Sequence, residues 1–415
     1  MNQMKELQDT GRLGALAGSP AFQAQLSKLR RWFHRHPELS FQEKETAARI
    51  MRELDALGIH YRYAGVGHAV IADIDGTDAS GPFIALRADM DALPGEETTG
   101  TEYASRNPGV MHACGHCAHM AMLLGAARLL QANPPPGPVR LVFQPGEERG
   151  GGARTAIADG AIEGVRAIFA GHVTHEYETG QIMVKGGAVT AQSDGFRISI
   201  SGQGGHGARP HEAVDAVVIS SMLTLALQTL VSRESNPLHP AVITVGSLHS
   251  GSASNVIAET AEMAGSIRTN YEPVRQHLHN GIRRMAGAAG ELHNAQVKVE
   301  IHEGYPPVYN ERRATELARD TARQTVGEAQ VAEAELPSMG SEDFAFYLQR
   351  IPGCFVRIGA RKADWEPVPL HSPSFDIDEA ALPVGAAWLD AVARRAHQQI
   401  DRFAHGGERR SPVTA

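Results

Sequence analysis

Apolar residues recur at three- and four-residue spacing over 21–35 and 42–57, which predicts two amphipathic helices broken by His36-Pro37. Short apolar runs follow at Ala69–Ile74 and Phe83–Leu86, and the second ends in Arg87-Ala88-Asp89-Met90-Asp91. From Ala118 the stretch AHMAMLLGAARLLQA has helical periodicity, and Asn133 with three prolines stops it near 132. Val139–Phe143 reads as a buried strand ending in Gln144-Pro145-Gly146-Glu147-Glu148. Residues 153–160 read as a helix, and Ala167–Ala170 as a strand ending in Gly171-His172. Strand, helix and polar strand end thus recur. That is the pattern of an α/β fold, a mainly parallel sheet with helices on both faces.

The texture changes near Lys185–Gln192, which is rich in Gly and Ala. Strand (195–201), helix (213–232), two strands (241–248, 261–269), helix (273–288) and strand (296–302) follow. This is the order of an α+β, ferredoxin-like unit inserted into the first domain. The first domain resumes with a helix at 311–325, a strand at Cys354–Ile358 and a closing amphipathic helix from about 379 to 403. The expected organisation is a catalytic domain at 1–189 and 304–405, an inserted lid or dimerisation domain at 190–303, and a disordered tail at 406–415.

Composition narrows the class. Net charge is −8 without a basic block, which argues against nucleic acid as a partner. No run of 18 apolar residues occurs and no basic stretch joins an apolar core at the N-terminus, so neither a membrane span nor a secretory signal is expected. Three cysteines make no disulfide scaffold and fit a reducing cytoplasm.

Candidate chemistry centres on residues 110–119. Cys114, His116, Cys117 and His119 fall within six positions, with His112 just upstream. At a helix N-terminus the peptide dipoles favour thiolate over thiol. A metal site and a redox C-x-x-C dithiol both use these residue types, and a buried helix start with incidental histidines is the plainer alternative. Polar residues at the other strand ends favour metal. Asp89, Asp91, Cys114, His116, Glu147, Glu148, His172 and His371 come from five stretches, and strand C-termini line up along one edge of such a sheet. Two ions ~3.5–4 Å apart need several such ligands and a carboxylate to handle water.

The chain resembles the metal-dependent N-acyl-amino-acid amidohydrolases, the hippurate hydrolase and aminoacylase group of co-catalytic metallopeptidases. The matching stretches are HRHPELSFQE (34–43), LRADMDALP (86–94), MHACGH (111–116), FQPGEE (143–148), GGHGARPHEAVDAV (204–217), NVIAETAEMAGSIRT (255–269), MGSEDFAFYL (339–348) and LHSP (370–373), in the family's order. The resemblance implies a phosphorylase/hydrolase-like catalytic domain. It implies two divalent ions (Zn or Mn, with Co or Ni as alternatives) on Cys114, His116, Glu148, His172 and His371. It further implies Glu147 as general base for a metal-bound water, and Asp89 or Asp91 orienting a ligand histidine. In the inserted domain it implies His206 at the oxyanion, and Asn255 and Arg268 on the substrate α-carboxylate. The plainer alternatives are a loop residue for His206 between glycines, a strand-face ion pair for Arg268 and a turn cap for Asn255. His112 and His211 are left as supporting or structural residues. The expected partners are a small N-acyl amino acid or amide and a second copy of the chain, joined through the inserted domain.

One position departs from the pattern. Where the family usually has Asp after Cys-Gly-His, this chain has Cys117. That substitution places a soft thiol beside the site and creates the CGHC tetrapeptide. A thiol–disulfide oxidoreductase using Cys114 and Cys117 would need a strand just before the motif, yet residues 96–110 read as a loop. A non-catalytic metal-binding protein is the remaining alternative, and Glu147 argues against it.

Overall fold

A computed structural model describes residues 17–334 and 336–403. The expected tail at 406–415 lies outside them. The main elements, in chain order, are α1 (Pro20–Arg35), α2 (Lys44–Ala56), β1 (His60–Tyr63), β2 (Val70–Ile74), β3 (Phe83–Asp89), α3 (His116–Ala132), β4 (Val139–Gln144), α4 (Gly152–Ala158), β5 (Val165–Glu178) and β6 (Ile182–Met183). There follow β7 (Gln192–Ser201), α5 (Ala216–Thr229), β8 (Ala241–Ser250), β9 (Thr260–Thr269), α6 (Glu272–His293) and β10 (Gln296–Glu303). The chain closes with α7 (Arg312–Val326), β11 (Val331–Ala332), β12 (Gly353–Arg361) and α8 (Ala381–Gln398).

The chain divides into two compact units. Among described residues, the first holds 17–189, 309–336 and 342–403, and the second holds 190–308 and 337–341. The boundary therefore falls five residues later than 303, and a short segment near 340 groups with the insert. Hydrogen bonds give the reason. Asp194 Oδ1 accepts from Gly304 N, Thr190 Oγ1 from Val308 N, and Gly340 O from Ala191 N.

The first unit is built on an eight-stranded sheet in the order β1-β2-β4-β3-β5-β12-β6-β11. Its centre, β4-β3-β5-β12, is parallel. The sheet is mixed rather than mainly parallel, because β1, β2 and β4 pair antiparallel and β6 runs antiparallel to β12. Strand β1 reads His-Tyr-Arg-Tyr and alternates exposed and half-buried, so a search for apolar runs passes over it. Register brings Asp89 opposite Gln144 and Arg87 opposite Ala170, which gathers the ends of β3 and β4 beside the middle of β5. Strand β5 continues to Glu178, so His172 sits within a strand, opposite Arg357 of β12, rather than at a strand end.

Helix α3 is buried almost all round, as expected of a helix apolar on every face. It packs between α1 and α8. The approach to α8 relies on small residues. A Cβ on Gly125 would lie 2.8 Å from Ala386 Cβ, and one on Gly385 would lie 2.3 Å from Met122 Sδ.

The second unit is a four-stranded antiparallel sheet in the order β8-β9-β7-β10, built from β-α-β-β-α-β connections. Phe196, Ile198 and Ile200 of β7 alternate into its core against α5 and α6. Asp194 anchors this unit: Arg275 donates to both its carboxylate oxygens at 2.7 Å, and His279 Nε2 lies 2.7 Å away. Helix α5 starts where Asp215 accepts hydrogen bonds from Val217 N and Val218 N. Ala216–Glu234 is long and apolar enough to cross a membrane by length and composition only, a test that the core helix of a soluble protein also passes. Its Ile219, Leu223 and Leu227 face the unit's own core, while Val217, Val218, Met222 and Leu225 are exposed.

Candidate metal centre

The centre lies in the first unit, where the N-terminus of α3 meets the central strands. Gly115 caps α3 with φ +86°, a conformation that L side chains rarely adopt, and a Cβ there would lie 2.3 Å from Val173 Cγ2. Cys114 and His116, on either side of that turn, are both buried. His116 Nδ1–H donates to Asp91 O at 2.9 Å, which leaves Nε2 free to bind a cation. His172 Nδ1–H donates to Val173 O at 2.6 Å, and its Nε2 lies 3.5 Å from Cys114 Sγ. His371 has φ +68°, and its N–H donates to Ala113 O at 2.8 Å, tying that loop to the start of α3.

Ligand atoms of Cys114, His116 and His172 lie within 4.8 Å of one another, and so do those of Cys114, Glu148 and His371. The two groups share Cys114. A third group joins His116 to Glu147 and Glu148. His116 Nε2 and Glu148 Oε1 are buried without a hydrogen-bond partner among the described residues. Glu148 Oε1 lies 3.4 Å from His371 Nε2 and 3.8 Å from His116 Nε2. Sulfur, nitrogen and oxygen atoms converging on one place, with one nitrogen and one oxygen unpartnered, are what a divalent transition metal requires. Charge agrees. Burial disfavours protonation of His116, yet the nearby Asp89 and Cys114 raise its pKa well above the usual range. Cys114 and Glu148 push His371 up to about 10. The surroundings favour positive charge at His116 and His371, whereas burial pushes the His172 pKa well down.

The two aspartates have separate tasks. The Asp91 carboxylate accepts from Glu147 N and Glu148 N, both at 3.0 Å, and from the Ser40 hydroxyl at 2.7 Å. Asp91 thus fixes the Glu147-Glu148 turn with its side chain and His116 with its carbonyl. Asp89 Oδ1 accepts from His119 Nδ1–H at 2.6 Å, and His119 Nε2 accepts from Val173 N at 2.9 Å. Both ring nitrogens of His119 are engaged, so it is a bridge between Asp89 and the backbone beside His172, although it also lies close to His116. Burial raises the Glu147 pKa well above the carboxylate range, and Glu342, Glu148 and Asp343 reinforce it. Asp343 N donates to Glu147 Oε1 at 3.3 Å.

Cys117 has a different environment from Cys114. Its Sγ lies 3.6 Å from His34 Nδ1, and the buried Arg30 guanidinium lies 3.4 Å from the same nitrogen. Burial opposes ionisation of this thiol, but Arg30 and His34 outweigh it and lower its pKa. The thiol stands where the family pattern expects a carboxylate, and its neighbours ease its ionisation. All three cysteines are free.

His206, Asn255 and Arg268 belong to the second unit. His206 pairs with Val256 in a short ribbon, and Gly207 N donates to Asn255 O at 2.8 Å, so His206 and Asn255 are neighbours. Arg268 lies in β9, half-buried, and donates to Ser341 Oγ at 2.9 Å. Sequence reasoning assigned no role to Ser40, Arg87, Glu342 or Asp343 and no bridging role to His119. The signal was present, since all but His119 lie inside the stretches that carry the family resemblance.

The model of peptidase family M20/M25/M40 matches residues 85–395. N-acetyl-L-cysteine deacetylase of Bacillus subtilis is 41% identical over 374 residues, covering 89% of this chain and 88% of its own. The IAA-amino acid hydrolase ILR1-like 4 of Arabidopsis thaliana is 39% identical over 376 residues, 88% of this chain and 84% of its own. A crystal structure described as a dinuclear metal-binding peptidase, from Bacillus subtilis, superimposes with a TM-score of 0.79 at 35% identity, covering 92% of this chain and 99% of that one.

The turn at Gly115 generates a prediction. Gly115→Ala forces a strained φ and a clash with Val173. It should cost about 1–3 kcal/mol of stability and weaken metal binding roughly 10- to 100-fold. Equilibrium unfolding and chelator-competition titration measure the two effects. Wild-type values in both would show that the turn tolerates a side chain.

Proposed function

The chain belongs to the peptidase M20/M25/M40 family and is a metal-dependent amidohydrolase, and we propose that it cleaves N-acyl amino acids to a carboxylate and a free amino acid. The observation that carries this reading is the pair of ligand groups sharing Cys114, one fully buried and one reaching the surface at His371, with Glu147 beside them. We assign Cys114, His116, Glu148, His172 and His371 as ligands of two divalent ions, Zn or Mn, with Co or Ni as alternatives. When bound, such ions polarise the scissile carbonyl and acidify the attacking water.

The residues of the chain do the rest. Glu147 takes a proton from the attacking water and returns it to the leaving amine as the C–N bond breaks. Its burial among other carboxylates supports this, because it raises the affinity of Glu147 for that proton. Asp91 holds Glu147 and Glu148 by their backbone N–H groups, and Asp89 acts through His119. In the second unit, we assign His206 to the oxyanion and Asn255 and Arg268 to the substrate α-carboxylate. We read that unit as a ferredoxin-like lid and dimerisation module. The exposed apolar face of α5, with Val242 and Leu248 on the edge strand β8, supports a homodimer. For location we propose the cytoplasm, where thiols stay reduced.

The central test is Glu147→Gln. Metal content should persist, while kcat on N-acetyl and N-benzoyl amino acids falls by roughly 10²- to 10⁴-fold. Wild-type kcat in a metal-loaded variant would remove Glu147 from the chemistry. Arg268→Ala and Asn255→Ala should weaken binding of acyl amino acids far more than of the matching amides, by roughly 10- to 150-fold for a lost charge-assisted contact. Equal losses on acids and amides would count against that role. Sedimentation equilibrium at micromolar protein should show a dimer, and Leu225→Asp with Val218→Asp should dissociate it. A wild-type monomer under those conditions would sink the dimer assignment.

A further inference from the structure

Arg87 lies on β3 two residues before Asp89, and only 3% of its surface is exposed. Its guanidinium donates in four directions: to Asp89 Oδ2 at 2.7 Å, Glu342 Oε1 at 2.9 Å, Asp343 Oδ1 at 3.0 Å and Gln144 Oε1 at 2.9 Å. Three carboxylates from two distant parts of the chain therefore share one buried cation. Asp89 and Asp343 lead back to the centre. Asp89 accepts from His119, whose other ring nitrogen accepts from Val173 N, next to His172. Asp343 also accepts from Gln144 Nε2 at 2.9 Å and from Ala153 N at 2.8 Å, and its own N–H donates to Glu147 Oε1.

From this geometry we infer that Arg87 is the positioning residue of the centre: one guanidinium holds both the Asp89–His119 bridge behind His172 and the Glu342-Asp343 turn that contacts Glu147. The inference rests on the roles proposed above for His172 and Glu147. The four hydrogen-bond partners of Arg87 are not among the assigned ligands, so it acts through these partners. Its fork geometry matters as much as its charge. A guanidinium presents five N–H groups in one plane and can bond several acceptors at set angles, whereas an ammonium is a point charge with three rotatable donors. Without the cation, Asp89, Glu342 and Asp343 would be left close together and dry, where they repel. They would separate or take up protons, and either response moves His119 and the turn beside Glu147.

The test compares full-length Arg87→Lys and Arg87→Met with Glu147→Gln, each loaded with Co(II). Three quantities are read: kcat and KM separately, Co(II) affinity by chelator competition, and the Co(II) visible spectrum, which reports ligand geometry. Arg87→Lys keeps the charge and loses the fork. It should lower kcat at least ~100-fold with KM within about threefold, weaken Co(II) binding roughly 10- to 100-fold, and shift the spectrum. Arg87→Met should do more. If Arg87→Met does not fold, Asp343→Asn and Arg87→Lys carry the comparison. Wild-type kcat and spectrum in Arg87→Lys would overturn the inference. So would a fall in activity that merely tracks a lower melting temperature while the spectrum is unchanged. Glu147→Gln separates the two levels: if that variant stays active, the base assignment fails, whereas a dead Glu147→Gln beside a normal Arg87→Lys removes Arg87 alone.

Discussion

Keeping several ionisable groups dry in one place is the constraint on which this architecture depends. Asp89, Glu147, Glu342 and Asp343 are all buried around the end of β3, and so are His116, His119 and His172. Isolated buried charges are costly, so each must find a partner. The parallel centre of the sheet supplies the frame, because its register sets Asp89 beside Gln144 and His172 beside Arg357. Arg87 supplies the cation for one half of the cluster. In the other half, His116 Nε2 and Glu148 Oε1 have no hydrogen-bond partner among the described residues, and the surrounding ligand atoms are close enough to hold a metal. Structural and functional electrostatics are thus divided between two sides of Asp89.

Helix α3 serves both sides of this division. Its first turn offers Cys114 and His116 to the centre, while Cys117, one residue after His116, meets His34 near Arg30 on α1. The two cysteines of CGHC therefore have separate environments and separate partners. Burial raises the Cys114 thiol, with Glu148 adding to it, whereas Arg30 and His34 lower that of Cys117. The motif that suggested a dithiol instead splits between a candidate metal group at Cys114 and a thiol beside His34 and a buried arginine at Cys117. The second unit follows a simpler logic. It buries one charged cluster, around Asp194, and otherwise stacks two helices on an antiparallel sheet, with α5 exposing a row of apolar side chains.

Much of this was legible along the chain. Apolar periodicity marked α3, β3 and β4, and the clustering of Cys and His at 112–119 marked the centre, because helical and extended segments impose periods that neighbouring residues must obey. The resemblance carried by the short motifs named residues that the fold gathers into groups able to hold a metal ion. What local pattern could not decide was who touches whom. Arg87 bonds Gln144 across 57 residues and Glu342 across 255, and no local period encodes such a contact. The separate tasks of Asp89 and Asp91, the bridging use of His119 and the mid-strand place of His172 follow from strand register and from the turn at Gly115. Hydrogen bonds form over about 3 Å in space, and only the packed sheet brings those atoms within that distance.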